Sequence, residues 1–213
     1  MPTDREQQLE QALAQFLKPI KGLPFDVIIR ALCGVSVEKF DVTRHDNARY
    51  LGTITQAVRD VCARVRAQPI RRPRPNEVGN DMEPLMIEAL HHHHLVASAP
   101  KTKAGKGKST GYPDIYIQTD GLPIYLEVKT YAAANHDTTQ RSFYLSPSED
   151  PKVHADGYHV LVAFEIERKG TAYFPVAYEI VDLYGLECDM KAEFNSDNRR
   201  LYSPQRVLAK GRV

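Results

Sequence analysis

The chain has 213 residues, 42% of them hydrophobic and 26% charged, which is the balance of a globular protein able to bury a core. Its 14 prolines and 12 glycines are too scattered for a disordered or fibrous chain, and a mean hydropathy of −0.43 without a long apolar run argues against a membrane protein. Three widely spaced cysteines and a polar N-terminus indicate a reducing, cytoplasmic location without export.

Helical periodicity dominates the first third of the chain. Segments with apolar residues at helical spacing cover residues 4–17, 25–32 and 47–68. A stiff, basic, proline-rich connector follows at residues 69–75. We therefore expect a helical N-terminal segment with its connector over residues 1–75 and a separate α/β part over residues 76–213.

The α/β part is predicted to open with a helix over residues 80–96. Its core-facing residues are Met82, Leu85, Met86, Ala89 and Leu90. Asp81 is the preferred N-cap, because it places Pro84 at N3, where a missing N–H costs nothing. Four consecutive histidines, 91–94, follow, and neighbours on a helix point about 100° apart, so they cannot all bind one metal ion. We expect a solvent-facing helix end there.

A lysine-rich loop precedes the first predicted strand. No Asp or Glu lies between Ala89 and Pro113. The four lysines of this loop are Lys101, Lys103, Lys106 and Lys108. A nucleotide-binding P-loop is excluded because Thr102 stands where its first glycine is required and because a strand follows. We predict that these lysines and Ser109 contact DNA phosphates, the alternative being a solvated surface loop.

From Asp114 the apolar pattern alternates instead of following a helix. Residues 114–119 and 124–130 are predicted to form a hairpin around Asp120-Gly121, and residues 158–167 and 171–183 a second one. The run from 160 to 164 is apolar throughout, as in a central strand covered on both faces. Helices and hairpins in this order predict an α/β sheet with helical layers.

The chemistry-bearing pattern lies at the ends of the first hairpin. Asp114 opens one strand, while Glu127 and Lys129 lie in the other, on the face opposite Ile124, Leu126 and Val128. A twisted antiparallel pair can bring Asp114 near Glu127. Two adjacent carboxylates repel unless a cation lies between them, and oxygen ligands suit Mg²⁺. The Val128 carbonyl can add an oxygen, and the lysine can orient a water and favour its hydroxide form.

Such a group of residues suits hydrolysis of a phosphodiester, although each part has an ordinary structural interpretation. Glu127 and Lys129 alone can be a surface salt bridge, and Pro-Asp is a common turn opening. The combination of Pro-Asp, E-x-K on the matching strand, a preceding lysine loop and an acid-bearing helix favours the catalytic interpretation.

Pro113, Asp114, Glu127 and Lys129 match the motif of the PD-(D/E)xK nuclease superfamily, and the sequence resembles its type II restriction endonucleases over residues 76–183. The resemblance implies a restriction-endonuclease-like core, a central mixed β-sheet flanked by helices, here with a helical N-terminal part. It also implies Mg²⁺-dependent, sequence-specific cleavage of double-stranded DNA with 5′-phosphate ends. A homodimer and a cognate DNA methyltransferase in the same system are expected with it.

Glu83 is a further catalytic candidate on this resemblance, because family members often bring an acidic residue from the preceding helix to the metal site. Its other interpretation is a first-turn carboxylate stabilised by the helix dipole. Glu88 is the weaker substitute.

Base recognition needs other residues, since phosphate contacts carry no sequence information. Polar segments containing Gln140, Arg141, Asn198 and Arg199 offer side chains that read base edges, or else form ordinary polar loops. Two alternatives stay open. A structure-selective nuclease, such as a junction resolvase or repair enzyme, would not cut at fixed sequences, and a non-catalytic DNA-binding protein would show no turnover.

Overall fold

The computed structural model describes residues 3–18, 20–74, 76–108, 110–139 and 143–209. The chain forms two compact units, one of Pro24–Leu186 and one that joins Met1–Leu23 to Glu187–Val213. The boundary expected at residue 75 lies inside the larger unit and does not separate the two. No helix among the described residues has the length and apolarity that a membrane crossing requires.

The described residues contain five helices, nine strands and one short 3-10 turn at Ala133–Asn135. The helices are α1 (Asp4–Phe16), α2 (Phe25–Cys33), α3 (His45–Ala67), α4 (Asn76–His92) and α5 (Asn198–Leu201). The strands are β1 (Ile20–Pro24), β2 (Val37–Glu38), β3 (Ile70–Arg71), β4 (Val96–Ser98), β5 (Ile115–Gln118), β6 (Ile124–Tyr131), β7 (Gly157–Lys169), β8 (Ala172–Asp182) and β9 (Glu187–Met190). The helices predicted over residues 4–17, 25–32 and 47–68 and both hairpins are confirmed. The helix predicted over residues 80–96 is present, but it covers Asn76–His92, and Val96 begins β4.

The larger unit contains a mixed sheet of seven strands. Its order is β3-β8-β7-β6-β5-β4, with β2 added beside β7. The pairs β6·β7 and β2·β7 are parallel, and the other pairs are antiparallel. The expected fold class, a central mixed sheet flanked by helices, is confirmed.

The two long helices pack on one face of this sheet and form the main core. Val58 and Val61 of α3 and Met86 of α4 lie in the same buried cluster as Ile124 and Leu126 of β6. Both helices carry apolar residues at the spacing that makes one continuous stripe, which explains why they share this face. β6 thus has one face committed to the core, and the opposite face carries the predicted catalytic residues.

The predicted N-cap of α4 is wrong. The helix begins at Asn76, so Asp81 lies inside it, where its two carboxylate oxygens accept hydrogen bonds of 2.6 Å each from the Arg72 guanidinium. Pro84 is inside the helix too, and it cannot donate to the carbonyl of Asn80. Asn80 is exposed, so water can hydrogen-bond to that carbonyl. The ion pair and solvent access offset the penalties that the sequence pattern alone assigns to this register.

The histidine run marks the end of α4. His91 Nε2 lies 2.6 Å from the Ala97 carbonyl, and His93 Nε2 lies 2.8 Å from a carboxylate oxygen of Asp60. His94 adopts a left-handed conformation with φ 62°. The neighbouring histidines therefore have separate partners, as expected for a helix end.

The smaller unit contains a two-stranded sheet of β1 and β9, together with α1 and α5. The Gly22 N–H donates to the Asp189 carboxylate across this sheet at 3.1 Å. Thr3 and Glu6 form a capping box at the start of α1.

Candidate active site

The β5/β6 hairpin brings the first two predicted catalytic residues together. Ile115 pairs with Leu126, and the same register carried one residue further places Asp114 opposite Glu127. The backbone N–H of Val128 donates to Asp114 Oδ2 at 2.9 Å, which fixes the direction of that carboxylate. The two acidic side chains therefore belong to one local structure, as the alternating pattern predicts.

Glu127 is a buried carboxylate, and the described residues provide a partner for one of its two oxygens. The residue is only 3% exposed, and its Oε1 lies 2.5 Å from Lys129 Nζ. Its Oε2 is buried and has no hydrogen-bond partner in the described part of the protein. Burial raises the pKa of Glu127 to about 7, Asp114 adds to this effect by repulsion, and Lys129 opposes it. An oxygen in this state is an open position for a hard cation or a donor.

Lys129 extends from the buried carboxylate toward solvent. Its side chain is 30% exposed, whereas that of Glu127 is 4% exposed. A lysine placed in this way can reach a ligand at the surface while one carboxylate oxygen keeps its ammonium in position. The salt bridge considered from the sequence is thus present, but its carboxylate is buried and only its lysine is partly exposed.

Helix α4 brings Glu83 to the same group of charges. Burial raises the pKa of Glu83, Asp114 raises it further, and Lys129 and Lys152 lower it. The residue lies well beyond the first turn of α4, so the interpretation as a dipole-stabilised first-turn carboxylate is wrong. Its electrostatic coupling to Asp114 and Lys129 supports the catalytic interpretation.

Lys152 is a site residue that the sequence did not reveal. It is 6% exposed, and its Nζ donates to the carbonyls of Gly111 at 2.6 Å and Pro113 at 3.0 Å. These carbonyls lie on both sides of Tyr112, in the segment that leads into Asp114. A single lysine after a proline in a polar loop carries no motif, so no sequence signal distinguishes it from a surface lysine.

A cluster of aromatic side chains packs around Tyr112 and Tyr125, which neighbour the predicted catalytic residues in the chain. The Tyr112 hydroxyl lies 2.7 Å from Nδ1 of His159, and the His159 ring stacks on Tyr125 at 4.8 Å between centroids. Phe25 of α2 meets both Tyr112 and His159 edge-on. Burial lowers the pKa of His159 to about 3, so this imidazole is neutral at physiological pH. The cluster therefore supports the site as packing and carries no charge.

The donor set fits a magnesium ion. Asp114 and Glu127 supply hard oxygen atoms, and Glu127 Oε2, which has no partner among the described residues, is open to a cation. In the described part of the chain no group of three or more His, Cys, Asp or Glu side chains converges closely enough to hold a metal. Mg²⁺ does not require one, because it is commonly bound by one or two carboxylates and keeps water and substrate phosphate as its other ligands.

The lysine loop is folded back on itself and tied to the segment before Lys152. Thr102 donates its N–H to the Lys106 carbonyl at 2.9 Å, and Lys101 bridges to Gly107. The Ala104 N–H donates to Asp150 at 3.0 Å. The side chains of Lys101, Lys103, Lys106 and Lys108 are exposed. The loop thus presents four ammonium groups on a backbone that is fixed to the larger unit.

Of the remaining predicted residues, one forms a different ion pair, two belong to the smaller unit and three lie outside the described residues. Glu88 is paired with Arg64 of α3 at 2.6 Å, away from the Asp114 group. Asn198 and Arg199 are exposed on α5 of the smaller unit. Ser109, Gln140 and Arg141 lie outside the described residues. The role of these polar residues in reading bases stays a prediction.

Comparison with known proteins assigns the chain to a family. The profile of the type II restriction enzyme MjaV family matches residues 19–205. The type II restriction enzyme MjaV of Methanocaldococcus jannaschii is 33% identical over 218 aligned residues, which cover 95% of this chain and 94% of that protein. No solved structure shows a significant match. The chain therefore belongs to the type II restriction enzyme MjaV family.

Proposed function

We propose that the chain is a PD-(D/E)xK enzyme that cleaves double-stranded DNA at a specific sequence in a Mg²⁺-dependent reaction and leaves 5′-phosphate ends. Family membership already makes it a site-specific deoxyribonuclease. The observation that carries the mechanistic proposal is the meeting of Asp114, Glu127 and Lys129 at the open end of one hairpin, where one Glu127 oxygen is buried and has no partner among the described residues.

Asp114 and Glu127 would hold the ion, with the Val128 carbonyl as a further oxygen donor. When bound, Mg²⁺ would neutralise charge on the scissile phosphate and favour ionisation of water. The Val128 N–H keeps the Asp114 carboxylate fixed in this site, and pairing with Lys129 favours the ionised form of Glu127 against the effect of burial.

Lys129 would also orient the attacking water. Its ammonium is held at one end by Glu127 and is partly exposed at the other, so it can hydrogen-bond to the water and to a phosphate oxygen. Attack of the water oxygen on phosphorus, with loss of its proton to solvent, breaks the bond to the 3′ oxygen. That oxygen takes up a proton, which gives a 5′-phosphate and a 3′-hydroxyl. Glu83, from α4, would act as an additional acceptor at this site.

The lysine loop would supply sequence-independent affinity. Its four exposed ammonium groups can neutralise backbone phosphates, and its tie to Asp150 places it on the same unit as the catalytic residues. We include in the proposal a homodimer that cuts both strands and a cognate DNA methyltransferase in the same system, as the resemblance implies.

Digestion of a plasmid of known sequence, with and without Mg²⁺ and followed by sequencing of the ends, tests the proposal. We expect discrete fragments only with the metal and 5′-phosphates at one short sequence. Asp114→Asn should abolish cleavage, and Glu88→Gln is the matched control. Fragments that form without divalent metal, cuts at no fixed sequence, or an active Asp114→Asn enzyme would contradict it.

A further inference from the structure

We propose that Lys152 is a positioning residue that holds Asp114 in its metal-binding orientation by clamping the backbone before it. The inference rests on the proposed function of Asp114 and Glu127. It concerns how the site is built rather than which groups touch the DNA.

The clamp consists of two hydrogen bonds from one ammonium group. Lys152 Nζ donates to the carbonyls of Gly111 at 2.6 Å and Pro113 at 3.0 Å, so it spans the Tyr112 residue between them. Asp114 follows Pro113 directly. Any shift of this segment changes where the Asp114 carboxylate lies relative to Glu127.

Burial of Lys152 is costly and has no packing explanation. The residue is 6% exposed, and burying an ammonium group is unfavourable unless its donors are satisfied. Both hydrogen-bond acceptors of Lys152 Nζ are backbone carbonyls. The ion-pair partner of Glu127 is Lys129 and not Lys152. Burial lowers the pKa of Lys152, and Asp114, Glu127 and Glu83 oppose this effect, so the ammonium lies within electrostatic range of the acidic group. An apolar side chain would fill the same space without the desolvation cost, so a charged donor here indicates a function.

The two residues before Lys152 form hydrogen bonds with the lysine loop. Asp150 accepts the Ala104 N–H at 3.0 Å, and the Pro151 carbonyl accepts the Lys103 N–H at 2.9 Å. The segment from 150 to 152 therefore joins the lysine loop at one end to the backbone of Asp114 at the other. The clamp is therefore part of a segment that is itself hydrogen-bonded to the lysine loop.

Two effects of removing the ammonium group have opposite signs, which makes the inference testable. Loss of a positive charge beside carboxylates would, by itself, strengthen cation binding. Loss of the two hydrogen bonds would let Asp114 move and would weaken it. The positioning role predicts that the second effect is larger.

The test titrates Mn²⁺ into the free protein, without DNA, and follows the unbound ion by electron paramagnetic resonance. We expect Lys152→Met to weaken Mn²⁺ binding about 10- to 100-fold, and to lower kcat on DNA that contains the cleavage site about 100-fold. DNA affinity measured without divalent metal should stay within about threefold, since the substitution removes no group that touches DNA. Lys39→Met, the same change on an exposed lysine, should leave all three quantities at the wild-type level.

Lys152→Arg distinguishes the loss of the two hydrogen bonds from a loss of the folded structure. It keeps the charge and offers several N–H donors, so Mn²⁺ affinity should stay within about threefold of wild type. A folded Lys152→Met protein that binds Mn²⁺ as tightly as wild type, or more tightly, would overturn the inference. If Lys152→Met does not fold, a folded Lys152→Arg protein with more than about tenfold weaker Mn²⁺ binding would overturn it.

Asp114→Asn distinguishes this inference from the proposed function. If Asp114→Asn keeps Mn²⁺ binding and cleavage, the proposed catalytic site is wrong. If Asp114→Asn loses both while Lys152→Met behaves as wild type, only the positioning role of Lys152 fails.

Discussion

Glu127 and Lys129 lie two residues apart on one strand with Oε1 and Nζ 2.5 Å apart, yet the second oxygen of Glu127 is buried without a partner among the described residues. A pair that served stability alone would have both oxygens satisfied, because a buried, unpaired polar atom costs free energy. Groups that are unfavourable for folding are found where a ligand completes them. The relationship between these two side chains therefore separates this site from an ordinary ion pair.

Glu127→Gln is expected to separate activity from stability. Cleavage should fall at least about 100-fold, because a carboxylate that binds the cation is lost. The free energy of unfolding should stay within about 1 kcal/mol of wild type or rise, because the amide carries no charge into the core. Quantitative digestion and urea unfolding of the same preparations measure the two effects.

Glu88→Gln is the matched control for this substitution. It makes the same chemical change on α4, at an exposed carboxylate paired with Arg64. It should keep the wild-type rate and lose at most about 1 kcal/mol of stability. Full cleavage by Glu127→Gln, or equal loss of activity in both variants, would mean that Glu127 is not a catalytic residue.

The lysine loop should contribute to affinity and not to sequence choice. In Lys103→Gln/Lys106→Gln we expect the slope of log K against log salt to fall by about 0.9 for each phosphate that the protein no longer neutralises. Affinity should weaken equally for DNA with and without the cleavage site, and the position of the cut should not change. Lys39→Gln is the control, and fluorescence anisotropy at several salt concentrations is the measurement. An unchanged slope, or an altered cut position, would contradict phosphate binding by this loop.

The catalytic hairpin could be predicted from the sequence because its information is local. Alternation over the two strands fixes which side chains share a face, and the short loop between them fixes the register, so Asp114 and Glu127 had to meet. The same holds for β7 and β8, where Gly170 with φ 63° lies in the turn.

Features that depend on distant partners could not be predicted. The start of α4 depends on Arg72 and Asp81, nine residues apart, and the N-cap pattern contains no information on that pairing. Lys152 reaches Gly111 across 41 residues of chain, so only the folded structure brings them together. The parallel pairing of β6 and β7 is likewise a long-range contact that strand patterns do not specify.

The buried histidine should make the protein sensitive to acid. The pKa of His159 is about 3 in the folded protein, below its ordinary value of about 6.5, because burial disfavours the imidazolium. Between these values the unfolded chain binds a proton that the folded chain does not. The contribution of His159 to the free energy of unfolding is therefore fully present above about pH 6.5 and falls with decreasing pH at about 1.4 kcal/mol per unit, while Glu127, with its pKa raised to about 7, has the opposite effect.

His159→Asn isolates this contribution because Asn does not titrate and can place a polar atom near the Tyr112 hydroxyl. The variant should be less stable than wild type at pH 7.5, since its side chain is smaller. Between pH 6.5 and 4.5 the difference should shift by about 2–3 kcal/mol in favour of the variant. Urea unfolding at each pH measures it, and His45→Asn, at an exposed histidine, should show no such shift. A constant difference would show that His159 is not the acid-sensitive group.

Gly157, the first residue of β7, lies close to the loop before β6. A Cβ added there would lie 2.7 Å from the Pro123 carbonyl oxygen and 3.0 Å from Cε2 of the Tyr125 ring. Neither the backbone oxygen nor a fully buried ring can move freely. Gly157→Ala should therefore lower the free energy of unfolding by about 1–3 kcal/mol, as measured by urea denaturation.

Gly121 provides the control for this substitution, since a Cβ there meets no atom of the described residues within 4 Å. Gly121→Ala should change stability by no more than about 0.5 kcal/mol. Because Tyr125 stacks on His159 behind the catalytic residues, displacement of its ring in Gly157→Ala should also reduce cleavage at temperatures where the variant is still folded. A Gly157→Ala protein as stable as wild type would mean that β7 can move away from Pro123 without cost, and the close approach would then not fix the position of the two strands.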